Sequence, residues 1–393
     1  MDYNSMLDKF SKQQLDERLI YLKDTKPEII TPQLNQLDQY GFIQSNSKSK
    51  QSQIYYSTLN VQDIQSSHNS DKKVQHYLNT YKKLSASKQY DLLKQICRNG
   101  IPNNYRNFFW QQALHSFPSD NETIESREQV YSELLGQGIE DIVIIQINKD
   151  IDRTMPSIQY FYNPSMLQAL FRVLKAYASY NIQISYCQGM GFIAAIFIYY
   201  MTEIDSFYAF KVFMDKFNDM YRRDMKGTHI RCEVFEKLIQ KLFPTAFKAI
   251  QKNQINFLFA APWFMTLFSY SLPFPVLLRV LDMIFCEGEK ALFRAAIALI
   301  QQASYGLVFH LPKNVSFNSD NHSELFDKFR KNAGPQHDNI SIINMPEIDC
   351  RLALQGIGSG IKNQNQFIQS CLKIKFKSCY LQQLIDEAKQ NFK

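Results

Sequence analysis

Two short motifs carry the residue types that could do chemistry. In Ile147-Asn148-Lys149-Asp150-Ile151-Asp152-Arg153 an arginine follows an aspartate by three residues, and Tyr186-Cys187-Gln188 ends on a carboxamide. A guanidinium is always charged and offers planar donors that match phosphate oxygens, so Arg153 suits negative charge developing on a transferring phosphoryl group better than a lysine would. A carboxamide such as Gln188 can orient an attacking water. The chain has no G-x-x-x-x-G-K-[ST] loop with which to hold a nucleoside triphosphate itself. The two side chains would therefore complete a phosphoryl-transfer site that belongs to a partner.

Taken alone, each residue has a plainer reading. A single exposed arginine is most often a solvated charge or a surface pair, here to Asp150 or Asp152. Asp150 could orient the guanidinium or cap a helix. Tyr186 reads as a packing and hydrogen-bonding support rather than a reactant. Gln188 precedes Gly189, which permits close backbone approach of a bound partner, or the pair is a turn feeding the apolar run from Phe192.

The elements that position these residues are mostly helical in pattern. Pro156 disfavours helix at Met155, which places Arg153 at the end of an element or just beyond it, where a side chain can project. Ile142 to Ile147 is ambiguous, because β-branched propensity alone favours a strand there. Asn163-Pro164 reads as a cap and first helical position, with Leu167, Leu170, Phe171, Leu174 and Ala178 on one face. Pro275 starts a second clear helix that runs through Leu277, Leu278, Leu281 and Phe285 and stops at Gly288. Ser206 to Met220 and Cys232 to Phe243 show similar stripes, and no repeat of fixed period emerges. Arg98-Asn99-Gly100-Ile101-Pro102 is a loop signature ahead of a helix containing Trp110. Gly100, Ile101, Pro102 and Trp110 read as structural, with Arg98 as a support for the site. Trp263, Phe264 and Phe268 read as core rather than a ligand cage.

The ends are less regular. Residues 1–75 form a polar extension: a marginal amphipathic helix before Pro27, read as a docking helix or frayed end, then a Ser-, Gln-, Asn- and Lys-rich stretch from Ser45 to Lys73 that cannot bury enough to stay ordered. Dense hydrophobic patterning runs over residues 76–311, and residues 312–393 read as a polar loop followed by a helical extension. In that extension Leu372-Lys373-Ile374-Lys375-Phe376-Lys377 alternates as an amphipathic strand, a half-exposed edge or a basic surface for anionic lipid would, the edge being the plainer reading. Gly356 to Gly360 reads as a flexible loop.

Composition narrows the function classes. The 393 residues are 45% hydrophobic and 14% aromatic, enough to bury a large core. The net charge of +7 is scattered rather than gathered on one face, which argues against nucleic acid. Seven cysteines without C-x-x-C spacing read as reduced thiols, and no His or Cys spacing suggests a metal site. The N-terminus lacks a signal-peptide pattern, and the apolar run from Gly191 to Met201 is too short to span a bilayer. The expected location is cytoplasmic, with any membrane contact peripheral.

Taken in order, the motifs resemble one family. Arg98-Asn99-Gly100-Ile101-Pro102, Arg106 and Trp110, then Ile147, Asp150 and Arg153, then Tyr186-Cys187-Gln188-Gly189-Met190, and downstream Trp263-Phe264, Phe268, Leu272-Pro273, Arg279, Asp282 and Gly288 follow the pattern of the TBC domain of Rab GTPase-activating proteins. The core motifs fall within residues 98–300, and Asp38-Gln39-Tyr40-Gly41-Phe42 resembles a segment often found upstream. The resemblance implies an all-α, V-shaped, two-lobed domain whose groove receives a GTP-bound Rab. It implies that Arg153 and Gln188 act in trans as paired fingers, with Asp150 and Tyr186 in support. It also implies no cofactor of its own, since GTP and Mg2+ arrive on the partner, and a role in vesicle trafficking on endomembranes. The competing reading within the family is a Rab-binding scaffold without catalysis, although such members typically lack a finger.

Overall fold

The computed structural model describes residues 77, 85–119, 121–155, 161, 163–304, 350, 354, 357–361 and 363–392. The expectations for residues 1–75, including Asp38 to Phe42, and for the polar run after Pro312 lie outside them. The described chain is all helical. The helices are α1 (Ala86–Asn99), α2 (Arg106–Leu114), α3 (Ile124–Gly136), α4 (Asp141–Ile151), α5 (Pro164–Tyr180), α6 (Met190–Tyr200), α7 (Glu203–Phe217), α8 (Lys226–Leu242), α9 (Pro244–Lys252), α10 (Ala261–Met265), α11 (Phe274–Glu287), α12 (Glu289–Ser304), α13 (Gln364–Lys373) and α14 (Ser378–Asn391).

Local chemistry sets several of these boundaries. The Asn163 side chain accepts from the Ser165 amide at 3.0 Å and Pro164 opens α5. Thr202 caps α7 by accepting from the Asp205 amide at 3.2 Å. Proline stands at the start of α11, and Gly288 ends it with φ 64, a backbone region open to glycine.

Residues 142–147 are helical, where β-branched propensity favours a strand. Burial explains the outcome. Val143, Ile147 and Ile151 are buried at a four-residue spacing, whereas Ile145 is 47% exposed. A strand would have buried 143, 145 and 147 together, so the sequence has one apolar stripe at helical period and α4 packs it against α5 and α6.

The helices form two groups. In the first, α3, α4, α6 and α7 surround α5; in the second, α11 packs on α1, α2, α12 and α13, while α8 packs on α9, α10, α12 and α14. Contacts of α2 with both α7 and α11 join them. Trp110 on α2 sits at this junction, fully buried, with its ring 5.0 Å from Phe285 of α11.

The Arg98–Pro102 loop is anchored at that junction too. Asp282, fully buried, accepts from Ile101 N–H at 3.2 Å, Arg106 Nε at 3.1 Å and Trp110 Nε1 at 2.8 Å. Gly100 has φ 98, and a Cβ there would stand 2.6 Å from Arg279 Nε. Arg98 pairs with Glu287 through Nε at 2.6 Å, and Glu287 also receives Arg294 Nη1 at 3.0 Å.

Two tail readings change. Residues 374–377 are an irregular connector between α13 and α14 rather than a strand, although the alternation is real: Ile374 is buried, Phe376 half-buried, and Lys373, Lys375 and Lys377 exposed. Ile357–Gly360 is a 3-10 turn and not a free loop, because Gly358 lies against the Ser271 carbonyl so closely that a Cβ would collide.

Candidate functional site

Arg153 lies two residues beyond the end of α4. Its amide donates to Asp150 O at 3.2 Å, and Thr154 Oγ1 donates to the same carbonyl at 2.7 Å, closing the helix in a tight turn. The Arg153 side chain is 51% exposed, whereas that of Asp150 is only 12% exposed. The end of α4 thus projects a guanidinium from a buried carboxylate.

Asp150 connects the two motifs. Its Oδ1 accepts from Arg153 Nε at 3.0 Å and Nη2 at 2.6 Å, while its Oδ2 accepts from Tyr186 Oη–H at 2.6 Å. Of the two roles the sequence left open for Asp150, the geometry is that of the orienter. Burial, then the adjacent Asp150 carboxylate, push the Tyr186 phenol far above its usual range. It therefore stays a hydrogen-bond donor at any physiological pH. The site has a fixed order, from phenol to carboxylate to guanidinium, spanning 36 residues of sequence between Asp150 and Tyr186.

Gln188 is exposed in the turn that precedes α6. The next residue, Gly189, has φ 104 and forms the N-terminal boundary of α6. A Cβ at Gly189 would lie 3.2 Å from the Met265 carbonyl oxygen, so its close approach is to this protein's own backbone. Between Tyr186 and Gln188, burial and then Asp150 push the Cys187 thiol up to about 11.

Arg153, Asp150, Tyr186 and Gln188 line one open cavity of about 870 Å³. It lies between α4 of the first helix group and the Tyr221–Met225 turn that leads into α8 of the second. Arg98 is not part of this lining: its pairing with Glu287 makes it a brace for the α1–α11 packing rather than a neighbour of the cavity. Gly100, Ile101 and Trp110 belong to the same buried junction, and Pro102 continues its loop.

The sequence reading gave no role to several residues of the cavity wall: Ile142, 55% exposed, and Lys149 on α4, and Arg222, Arg223 and Met225 opposite. The α4 residues were visible as the outward positions 142, 146, 149 and 153 of one helix face. The turn residues carried no such signal. Met225 adopts φ 54, a left-handed conformation that a methionine does not advertise. Among the described residues no group of three or more His, Cys, Asp or Glu gathers as a metal site would, and no helix is long and apolar enough to cross a membrane.

Residues 103–307 match the model of the Rab-GTPase-TBC domain. The chain is similar to TBC1 domain family member 10B of Homo sapiens, 30% identical over 219 residues that cover 55% of this chain and 27% of that protein. It is also similar to Rab GTPase-activating protein eat-17 of Caenorhabditis elegans, 28% identical over 231 residues that cover 57% of this chain and 25% of that one. The chain therefore spans less than two thirds of the length of these relatives. In structure it resembles the Chlamydomonas flagellar RabGAP TBC domain with a TM-score of 0.60 at 19% identity, over 86% of this chain and all of that one. The Ypt/Rab-GAP domain of Gyp1p follows with a TM-score of 0.53 at 17% identity, covering 72% and 91%. At these identities the structural likeness speaks for the fold.

Proposed function

The chain belongs to the Rab-GTPase-TBC domain family, and on that premise we propose that it is a catalytically active GTPase-activating protein for a GTP-bound Rab-type small GTPase. Arg153 enters the partner's nucleotide site and offsets the charge that builds on the transferring phosphoryl group, and Gln188 positions the attacking water. GTP and Mg2+ come with the partner. Faster hydrolysis returns the Rab to its GDP state and so regulates vesicle trafficking from the cytoplasmic face of endomembranes.

One observation carries this reading: Arg153 and Gln188, 35 positions apart, line the same open cavity, and the arginine is held there by a buried carboxylate that the second motif itself fixes through Tyr186. Pre-orientation matters because a transition-state contact is effective when its donor is already aimed and need not be ordered during reaction. An arginine kept only for stability would have no need of an orienter reaching from a separate segment of the chain.

The test is single-turnover phosphate release from a panel of purified, GTP-loaded Rab proteins with and without the chain. At least one Rab is expected to hydrolyse GTP by orders of magnitude faster in its presence. Binding of GTP-loaded Rabs with no acceleration of any of them would favour a scaffold instead.

A further inference from the structure

A second pair of arginines lines the cavity. Arg222 and Arg223 are consecutive and exposed, and among the described residues neither side chain makes a hydrogen bond or ion pair. Solvation is the ordinary state of a surface arginine, but the backbone that carries these two is fixed with unusual care. Tyr221 before them is buried, and its hydroxyl donates to the Met265 carbonyl at 3.0 Å. That carbonyl is the one against which Gly189, beside Gln188, is packed. After them, Met225 in its left-handed conformation donates its amide to Arg222 O at 2.9 Å. Thr228 Oγ1 donates to Met220 O at 2.8 Å, and Gly227 lies too close to the Asp219 backbone to admit a Cβ.

The charge of the cavity points the same way. Its cations are Lys149, Arg153, Arg222 and Arg223, against the carboxylates Glu140 and Asp150. Asp150 is already engaged by Arg153 and Tyr186, so of the lining carboxylates only Glu140 is left to offset Lys149, Arg222 and Arg223, and the wall opposite α4 presents net positive charge. Arg222 and Arg223 are two separate, exposed guanidiniums on that wall. They suit two separate carboxylates, each taken by a planar fork.

We propose that Arg222 and Arg223 are a docking pair that binds carboxylates on the GTPase surface flanking its nucleotide, and that they set affinity and encounter rate rather than the chemical step. The proposal rests on the reading of the cavity as a GTPase-binding site. Rim charges act through long-range attraction, so their contribution falls with ionic strength, whereas a finger acts at contact.

The double variant Arg222→Glu/Arg223→Glu separates the two behaviours in steady-state GTP hydrolysis, using the Rab that the wild-type chain accelerates most. KM is expected to rise about tenfold or more with kcat within about twofold of wild type, and the salt dependence of KM to flatten. Arg222→Lys/Arg223→Lys should restore much of the salt dependence. An unchanged KM, or a loss confined to kcat, overturns the proposal. Direct binding of the same panel loaded with a non-hydrolysable GTP analogue keeps the two claims apart. If Arg153→Ala leaves kcat intact, the catalytic reading fails, while weakened analogue binding by the Glu pair still supports the docking role and unweakened binding rejects it. Both side chains are exposed, so thermal unfolding midpoints should match wild type.

Discussion

Asp150 shows what a residue-level reading of the sequence could and could not reach. The motif spacing singled out the arginine and the glutamine as candidates, and left Asp150 between orienting and capping; only the fold brings Tyr186 onto its second oxygen at 2.6 Å. Removing that hydroxyl with Tyr186→Phe deletes a hydrogen bond to a carboxylate, an interaction of about 1.5–3 kcal/mol. If Tyr186 positions the finger, kcat for stimulated hydrolysis falls about tenfold or more while binding of GTP-loaded Rab is retained; equal kcat for variant and wild type would assign Tyr186 to packing alone. Cys187 offers a pH test of the same burial. Its thiol is pushed up to about 11, and the thiolate is the reactive form. Alkylation of Cys187, followed by peptide mass spectrometry, should therefore be slow at neutral pH and rise about tenfold per pH unit towards 11. A rate that levels off below pH 9 would show the thiol to be more solvated than the structure has it. Arg222 and Arg223 went unread because a partnerless cation in a turn looks like any solvated charge until the cavity wall is seen.

Among the elements, α4 and α11 make opposite points. α11 was legible at both ends, since proline and glycine fix backbone geometry locally. The start of α4 was not, because β-branched propensity and helical periodicity conflict at Ile142 to Ile147 and only packing against α5 decides between them. The Arg98–Pro102 loop was read as structural apart from Arg98, whose partner Glu287 is 189 residues away and invisible to local pattern. The anchor of this junction is Asp282, which takes four N–H donors from three residues of the loop and α2 with no exposure. Asp282→Ala leaves Arg106 buried without its charge partner, a loss of about 3–5 kcal/mol. Denaturant unfolding should show that drop, and a change under about 1 kcal/mol would mean that the junction relaxes or admits water.

Across the whole molecule, the folded unit reaches beyond the stretch that matches the family model, which ends at residue 307. Helix α14 packs on α8 with Leu381, Leu384, Ile385 and Ala388 buried. Its edge adds an Asn391 Nδ2 to Glu233 bond at 2.8 Å and Lys241 stacked 3.9 Å above the Tyr380 ring. Each buried leucine or isoleucine contributes about 1.5–3 kcal/mol. Ending the chain after Lys377 should lower the thermal midpoint by about 5 °C or more, or leave the protein prone to aggregate through the bared face of α8. An unaltered midpoint would show α14 to be a passive cover. The sequence signalled helices here but not their docking, since a half-apolar helix reads alike whether it packs on its own chain or on a partner.

The central claim is that two side chains from separate motifs act together on a partner's nucleotide. Single-turnover GTP hydrolysis with Arg153→Ala and Gln188→Ala, measured beside binding of the same GTP-loaded Rab, tests it most directly. Arg153→Ala is expected to lose about 10³–10⁵ in stimulated rate and Gln188→Ala to lose most of the stimulation, with complex formation retained in both. Stimulation at the wild-type level by either variant would contradict the account.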